Sequence, residues 1–200
     1  MSIVRLNNRG VRSATAFGSI TGLGSMVFLS KQTASSSSTI SFTSGIDSTY
    51  KVYLFTFNNM HPASASTLSF NGSIDTGSNY NVAKTSSSFY HLHKEDDSST
   101  ALSYNVYQDL AQGTGAQGLI GTLATDNDSG GWGKLYIFNP SSTTFVKHYI
   151  ANANGSNAQS VNSYTTGYFN TTSAIDAIQF SMSTGNIDSG TIKLYGIKDS

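Results

Sequence analysis

Residues 50–58, YKVYLFTFN, decide the fold class because they are apolar on both sides of an alternating pattern. In an extended strand, Tyr53, Phe55 and Phe57 point to one face, and a valine and a leucine point to the other. One face fills a hydrophobic core. The second face then needs cover from another sheet, from a terminal arm or from another subunit. The stretch therefore predicts a central strand of a layered β protein.

Short segments of similar composition recur along the chain, separated by clusters of Gly, Ser, Asn and Asp. This spacing is typical of an all-β sandwich. We therefore predict an all-β fold, an antiparallel β-sandwich that is jelly-roll-like, and expect a short helical turn only at 109–112. The eleven candidate strands are 25–31, 38–42, 50–58, 66–72, 87–93, 119–124, 133–139, 144–151, 163–170, 175–183 and 189–197.

Residues 1–24 differ from the rest, because they contain four glycines and follow no steady period. They predict an extended N-terminal arm, and residues 25–200 form the sandwich domain. Arg5, Arg9 and Arg12 are the only arginines in the chain. Arginine makes bidentate bonds to carboxylates that lysine cannot copy. The three arginines therefore predict docking of the arm on an acidic surface; the alternative is a frayed terminus without a role.

The strand at 133–139, GKLYIFN, repeats the two-faced pattern, with Trp132 just before it on the aromatic side. Exposed aromatic patches usually mark interfaces. A strand buried on both faces is the equal alternative. The candidate subunit-contact aromatics are Tyr53, Phe55, Phe57, Trp132, Tyr136 and Phe138.

The composition excludes several classes of function. The formal net charge is zero and charged residues make up 11% of the chain, so the protein as a whole is not built to bind nucleic acid or an anionic membrane. Cysteine is absent, which excludes disulfides and thiolate chemistry. No apolar run approaches the roughly twenty residues of a membrane span. We expect a soluble protein without a secretory signal.

Nothing in the sequence assembles an active site. The chain contains one glutamate, Glu95, no G-x-S-x-G motif and no Gly-rich phosphate-binding motif. A glycan-cleaving enzyme would need a pair of carboxylates that no pattern supplies. We predict that the protein is not an enzyme and needs no cofactor.

Two segments are weak candidates for binding a metal ion. His91 and His93 share one face of a strand in HLHKEDD, but the spacing predicts no third and fourth ligand. Asp126 and Asp128 occupy the first and third positions of a calcium-loop pattern that fails at its fifth and twelfth positions. Surface histidines and a turn between strands are the better accounts, so we predict no metal site.

Three segments, 42–64, 138–151 and 167–197, resemble a family of virion structural proteins from marine and cyanobacterial tailed phages. The closing pattern, IDAIQFSM followed by a Gly/Asn turn and IDSGTIKLYGI, is the most specific part of the resemblance. It implies a β-sandwich building block of the virion, on the capsid exterior or in the tail, and it implies no catalytic residue.

The sequence leaves two functions open. The first is a capsid decoration or cement protein that docks through its arm on the major capsid protein or other virion subunits and assembles as a homo-oligomer, expected to be a trimer. The second is a tail fibre or receptor-binding module whose loops 125–131, TDNDSGG, and 152–160, NANGSNAQS, meet host glycans.

Overall fold

A computed structural model describes residues 25–199, which form thirteen strands and no helix. No helix in this part of the chain could therefore span a membrane. The strands are β1 (Met26–Ser37), β2 (Ile40–Phe42), β3 (Val52–Pro62), β4 (Ser66–Ser73), β5 (Lys84–Lys94), β6 (Thr100–Tyr104), β7 (Leu110–Gly113), β8 (Gln117–Leu123), β9 (Gly130–Phe138), β10 (Lys147–Ser156), β11 (Gln159–Phe169), β12 (Ala177–Met182) and β13 (Ile187–Ile197).

The strands form two antiparallel sheets of unequal width. The wide sheet has nine strands in the order β1-β13-β3-β9-β10-β11-β5-β6, with β7 also paired to β5. The narrow sheet has four strands in the order β2-β12-β4-β8. Because the narrow sheet covers only part of the wide one, the wide sheet extends past it on the side of β5 and β6.

The pairing has the topology of a jelly roll. Four pairs, β1 with β13, β2 with β12, β3 with β9 and β4 with β8, make a two-stranded ribbon whose successive pairs alternate between the wide and the narrow sheet. Folding such a ribbon across itself gives the eight-stranded double sheet of a jelly roll. The remaining strands, β5 to β7 and β10 with β11, are two excursions that widen one sheet.

The prediction of an all-β antiparallel sandwich is confirmed, and each of the eleven predicted strands coincides with a strand of the structure. The predicted helical turn at 109–112 is wrong. Residues 110–112 form no helical turn and belong to β7, which pairs with β5 through Leu110 and Ser86. The strand β6 was also not predicted.

The core lies between the sheets and is centred on aromatic rings. Phe180 of the narrow sheet makes edge-on contacts with Phe55 and Phe57 of the wide sheet, at centroid distances of 5.3 and 5.4 Å. Tyr53 is fully buried beside them, and its hydroxyl donates to the backbone oxygen of Asp47 at 2.9 Å. The prediction that Tyr53, Phe55 and Phe57 contact another subunit is therefore wrong, because these rings fill the protein's own core.

Two lysines lie inside the sandwich. Lys84 and Lys147 both pair with Phe169, from the strands on either side of it, and both side chains are fully buried. The ammonium of Lys84 donates to Asn71 Oδ1 at 2.5 Å and to the backbone oxygen of Val82 at 2.9 Å. Burial lowers the pKa of Lys84 to about 8.

Candidate functional site

The outer face of the wide sheet carries a cluster of exposed aromatic and apolar side chains, here called the aromatic patch. Tyr164, Phe89 and Tyr104 are consecutive partners across β11, β5 and β6. The rings of Phe89 and Tyr164 stack at 4.9 Å with an interplanar angle of 12°. His91 and Leu102 form the next pair on this face, and the side chain of Leu102 is 73% exposed.

Three lysines lie in one row of the same outer face. Lys31 pairs directly with Lys193 between β1 and β13, and Lys134 lies two strands further along, beyond Thr56. Like charges directly opposite one another destabilise a sheet. Within residues 25–199 no lysine forms an ion pair, so this lysine row is not neutralised by the folded domain.

Trp132, Tyr136 and Phe138 also belong to the outer face, as alternate residues of β9. Trp132 is exposed, and Tyr136 and Phe138 are half-buried and stack on each other at 6.4 Å. Lys134 lies 5.9 Å from the centre of the Tyr136 ring. The structure thus leaves these three predicted aromatics accessible, in contrast to the three of β3.

Trp132 also forms one wall of a cleft at the loop end of the outer face. The cleft has a volume of about 370 Å³. Its remaining lining comes from β3, from β13 and from the loop before β9. The residues that line this Trp132 cleft are Asn59, His61, Asn127, Ser129, Gly130, Trp132, Asp188 and Ser189.

β-Bulges shape this cleft. Asn58 and Asn59 of β3 together oppose Trp132 alone, because Phe57 pairs with Gly133 and Met60 pairs with Gly131. On the other side of β3, Asp188 is an extra residue between two pairs of β13. Bulges re-aim side chains and occur often beside functional sites. Here they bring His61 Nδ1 to 3.7 Å from Asp188 Oδ2.

The two loops predicted to meet glycans lie side by side and are hydrogen-bonded to each other. Ser129 of the first loop donates to the backbone oxygen of Ser156 in the second, at 2.5 Å. The Ser156 hydroxyl accepts from the backbone N–H of Gly130 at 3.0 Å. Only the first segment, 125–131, lines the Trp132 cleft. The prediction that 152–160 is a loop is wrong, because these residues are the end of β10, the turn at 157–158 and the start of β11.

The weak metal candidates do not come together. His93 contacts Asp97 at 2.9 Å, whereas the neighbouring His91 contacts the side-chain amide of Asn162. In the loop at 125–131, the backbone oxygens of Asp126 and Asp128 accept hydrogen bonds from His61 and Ser156. Within residues 25–199 no three His, Cys, Asp or Glu side chains are grouped as metal ligands.

A groove of about 500 Å³ lies on the opposite face of the wide sheet, where this sheet extends past β8. Tyr90 and Val161 form its floor, and Gly118 and Gly121 of β8 form one wall. Nothing in the sequence pointed to this groove, because it arises from the unequal width of the two sheets. Arg5, Arg9 and Arg12, the predicted docking residues, lie outside the described part of the chain.

Comparison of the chain with protein-family models, with curated proteins and with solved structures gives no significant match.

Proposed function

We propose that the protein is a non-enzymatic structural subunit of a phage particle, most simply a capsid decoration protein that assembles through the outer face of its wide sheet. The resemblance of three segments to phage virion proteins gives the context. The observation that carries the proposal is the combination, on one face, of an exposed aromatic patch and a lysine row with no acidic partner in the folded domain.

An interface on this face has a physical rationale. Burying the rings of Phe89, Tyr104 and Tyr164 removes apolar surface from water, and aromatic residues are enriched in interface cores. An acidic neighbour would relieve the repulsion between Lys31 and Lys193. Cyclic symmetry lets one such patch be reused around an axis, which suits a trimer.

The arm supplies the second contact in this proposal. Arg5, Arg9 and Arg12 bind carboxylates of the major capsid protein or of another virion subunit, and each charged hydrogen bond contributes about 1 to 3 kcal/mol. Ordering an extended segment is costly, so the arm is fixed only when the neighbouring surface is already assembled.

The test replaces Arg5, Arg9 and Arg12 with Ala and measures occupancy on particles that lack the wild-type copy. We expect occupancy to fall by at least tenfold, because a tenfold loss needs only about 1.4 kcal/mol of the binding free energy that the three arginines supply. Docking of the wild-type protein should also weaken as the salt concentration rises. Circular dichroism and thermal melts check that the sandwich is intact. Full occupancy that does not depend on salt would contradict docking through the arm.

Copy number separates the capsid from the tail. Quantitative mass spectrometry of purified particles should find this chain in a number comparable to the major capsid protein if it decorates the capsid. A handful of copies would instead favour the second candidate, a receptor-binding module of the tail. The Trp132 cleft is the specific observation that favours this second candidate.

A further inference from the structure

We propose that the Trp132 cleft is a binding site for a neutral hexose, whatever the position of the protein in the particle. The proposal is independent of assembly through the aromatic patch, and isolated protein in solution is enough to test it.

The Trp132 indole is held as a platform. A Cβ atom on Gly130 would lie 3.3 Å from the ring, so the missing side chain lets the indole lie close to the backbone of β9. The side chain is nevertheless 43% exposed, which leaves ring surface open to the cleft. The C–H-rich face of a hexose ring is apolar and packs against such a surface, because aromatic rings present a negative face.

The walls of the cleft supply hydrogen-bonding groups suited to sugar hydroxyls. Asn59 and Asn127 line the cleft, and each side-chain amide can both donate and accept a hydrogen bond. The Asp188 carboxylate accepts from hydroxyl groups, and its negative charge disfavours acidic sugars. A site built around paired hydroxyls also rejects ligands that lack them.

The site is pre-formed rather than assembled on binding. The two loops are joined by the Ser129 and Ser156 hydrogen bonds, and His61 is held between the Asp126 backbone oxygen at 3.2 Å and Asp188 at 3.7 Å. Pre-organised groups lose less entropy when a ligand binds. The volume of about 370 Å³ is at the low end of the ~300 to 1,000 Å³ typical of small-ligand sites, which suits one or two sugar rings.

The experiment uses the fact that Trp132 is the only tryptophan, so the intrinsic indole fluorescence of the full chain reports on this cleft alone. The probes are galactose, glucose and N-acetylglucosamine, with N-acetylneuraminic acid as the acidic control. We expect a saturable change in emission with at least one neutral sugar, with a Kd of about 1 mM, and none with the acidic sugar.

Two variants and a matched control complete the test, with binding followed by calorimetry where the tryptophan is lost. Trp132→Ala should abolish binding. Asp188→Asn should lower the affinity for the neutral sugar by about tenfold, because one charged hydrogen bond is lost. Phe145→Ala removes an exposed ring outside the cleft and should bind as the wild type does. The absence of saturation with all three neutral sugars at ~100 mM, one hundred times the expected Kd, would overturn the proposal, as would unchanged binding in both cleft variants.

Discussion

Lys84 is a cation that the fold buries without a counter-ion. Its ammonium has only the neutral oxygens of Asn71 and Val82 as partners, and its pKa is lowered to about 8 because burial disfavours the charged form. In the unfolded chain the lysine keeps its proton up to a pKa of about 10.4. Unfolding between these two pKa values therefore takes up a proton, and the folded state gains stability as the pH rises through this window.

We predict that the free energy of unfolding rises between pH 8 and about pH 10, by up to about 3 kcal/mol from Lys84. Above pH 10 it should fall, because burial raises the pKa of Tyr149 and the unfolded chain then loses its tyrosine proton first. Urea unfolding at each pH gives the profile. Lys84→Met should flatten the rise, and Lys31→Met, at an exposed lysine, should keep it. A rise of equal size in both variants would contradict this account.

The sequence could not predict where Lys84 lies. The surrounding residues, NVAKTSSS at 81–88, are polar and resemble a surface segment, and only the pairing of β5 with β11 turns the lysine inward. The same limit applies to Tyr53 and its neighbours in β3. Both faces of that strand are apolar, so alternation alone cannot say which one fills the core.

At the scale of elements, the bulge in β3 depends on a glycine in the neighbouring strand. Gly190 has a φ of +131°, and a Cβ there would lie 2.8 Å from the backbone oxygen of Asn59. This conformation is nearly restricted to glycine. The close approach of the two strands therefore fixes Asn59 at the edge of the Trp132 cleft.

Replacement of Gly190 by Ala should lower the free energy of unfolding by about 1 to 3 kcal/mol, from backbone strain and from the clash with Asn59. It should also weaken sugar binding at the cleft, because the bulge must move. Gly115→Ala is the matched control, since nothing lies within 4 Å of a Cβ at that position. Chemical denaturation measures both variants, and equal stability of the two would argue against a strained bulge.

Elements with a strong alternating pattern could be predicted from the sequence, and weak ones could not. The eleven predicted strands carry apolar or aromatic residues at a period of two. β6 and β7 are short, and none of their residues is buried. They form because β5 offers them a partner, which is information from the tertiary structure. Trp132 was identified as a surface aromatic, but the cleft beside it results from bulges in two other strands, which no local pattern encodes.

At the scale of the whole molecule, the two sheets are held together by a cluster of five phenylalanines. Phe180, on the narrow sheet, is within 6.4 Å of each of the other four ring centroids. Of the four rings around Phe180, two belong to the narrow sheet and two to the wide sheet. The five residues of the cluster are Phe42, Phe55, Phe57, Phe70 and Phe180. Removal of the Phe180 ring at the centre of this cluster should affect both sheets at once, since no helix in the described part of the chain provides another core.

Phe180→Ala should therefore destabilise the protein by about 3 to 5 kcal/mol, the usual cost of removing a buried phenylalanine ring. Because both sheets contribute to the cavity, near-ultraviolet and far-ultraviolet circular dichroism should report the same unfolding midpoint, as expected of one cooperative domain. Leu102→Ala is the control: its side chain is 73% exposed, so the change in stability should stay within about 0.5 kcal/mol. Separate midpoints for the two signals in Phe180→Ala would show that side-chain packing and secondary structure are lost in different steps, and would contradict unfolding as one cooperative domain.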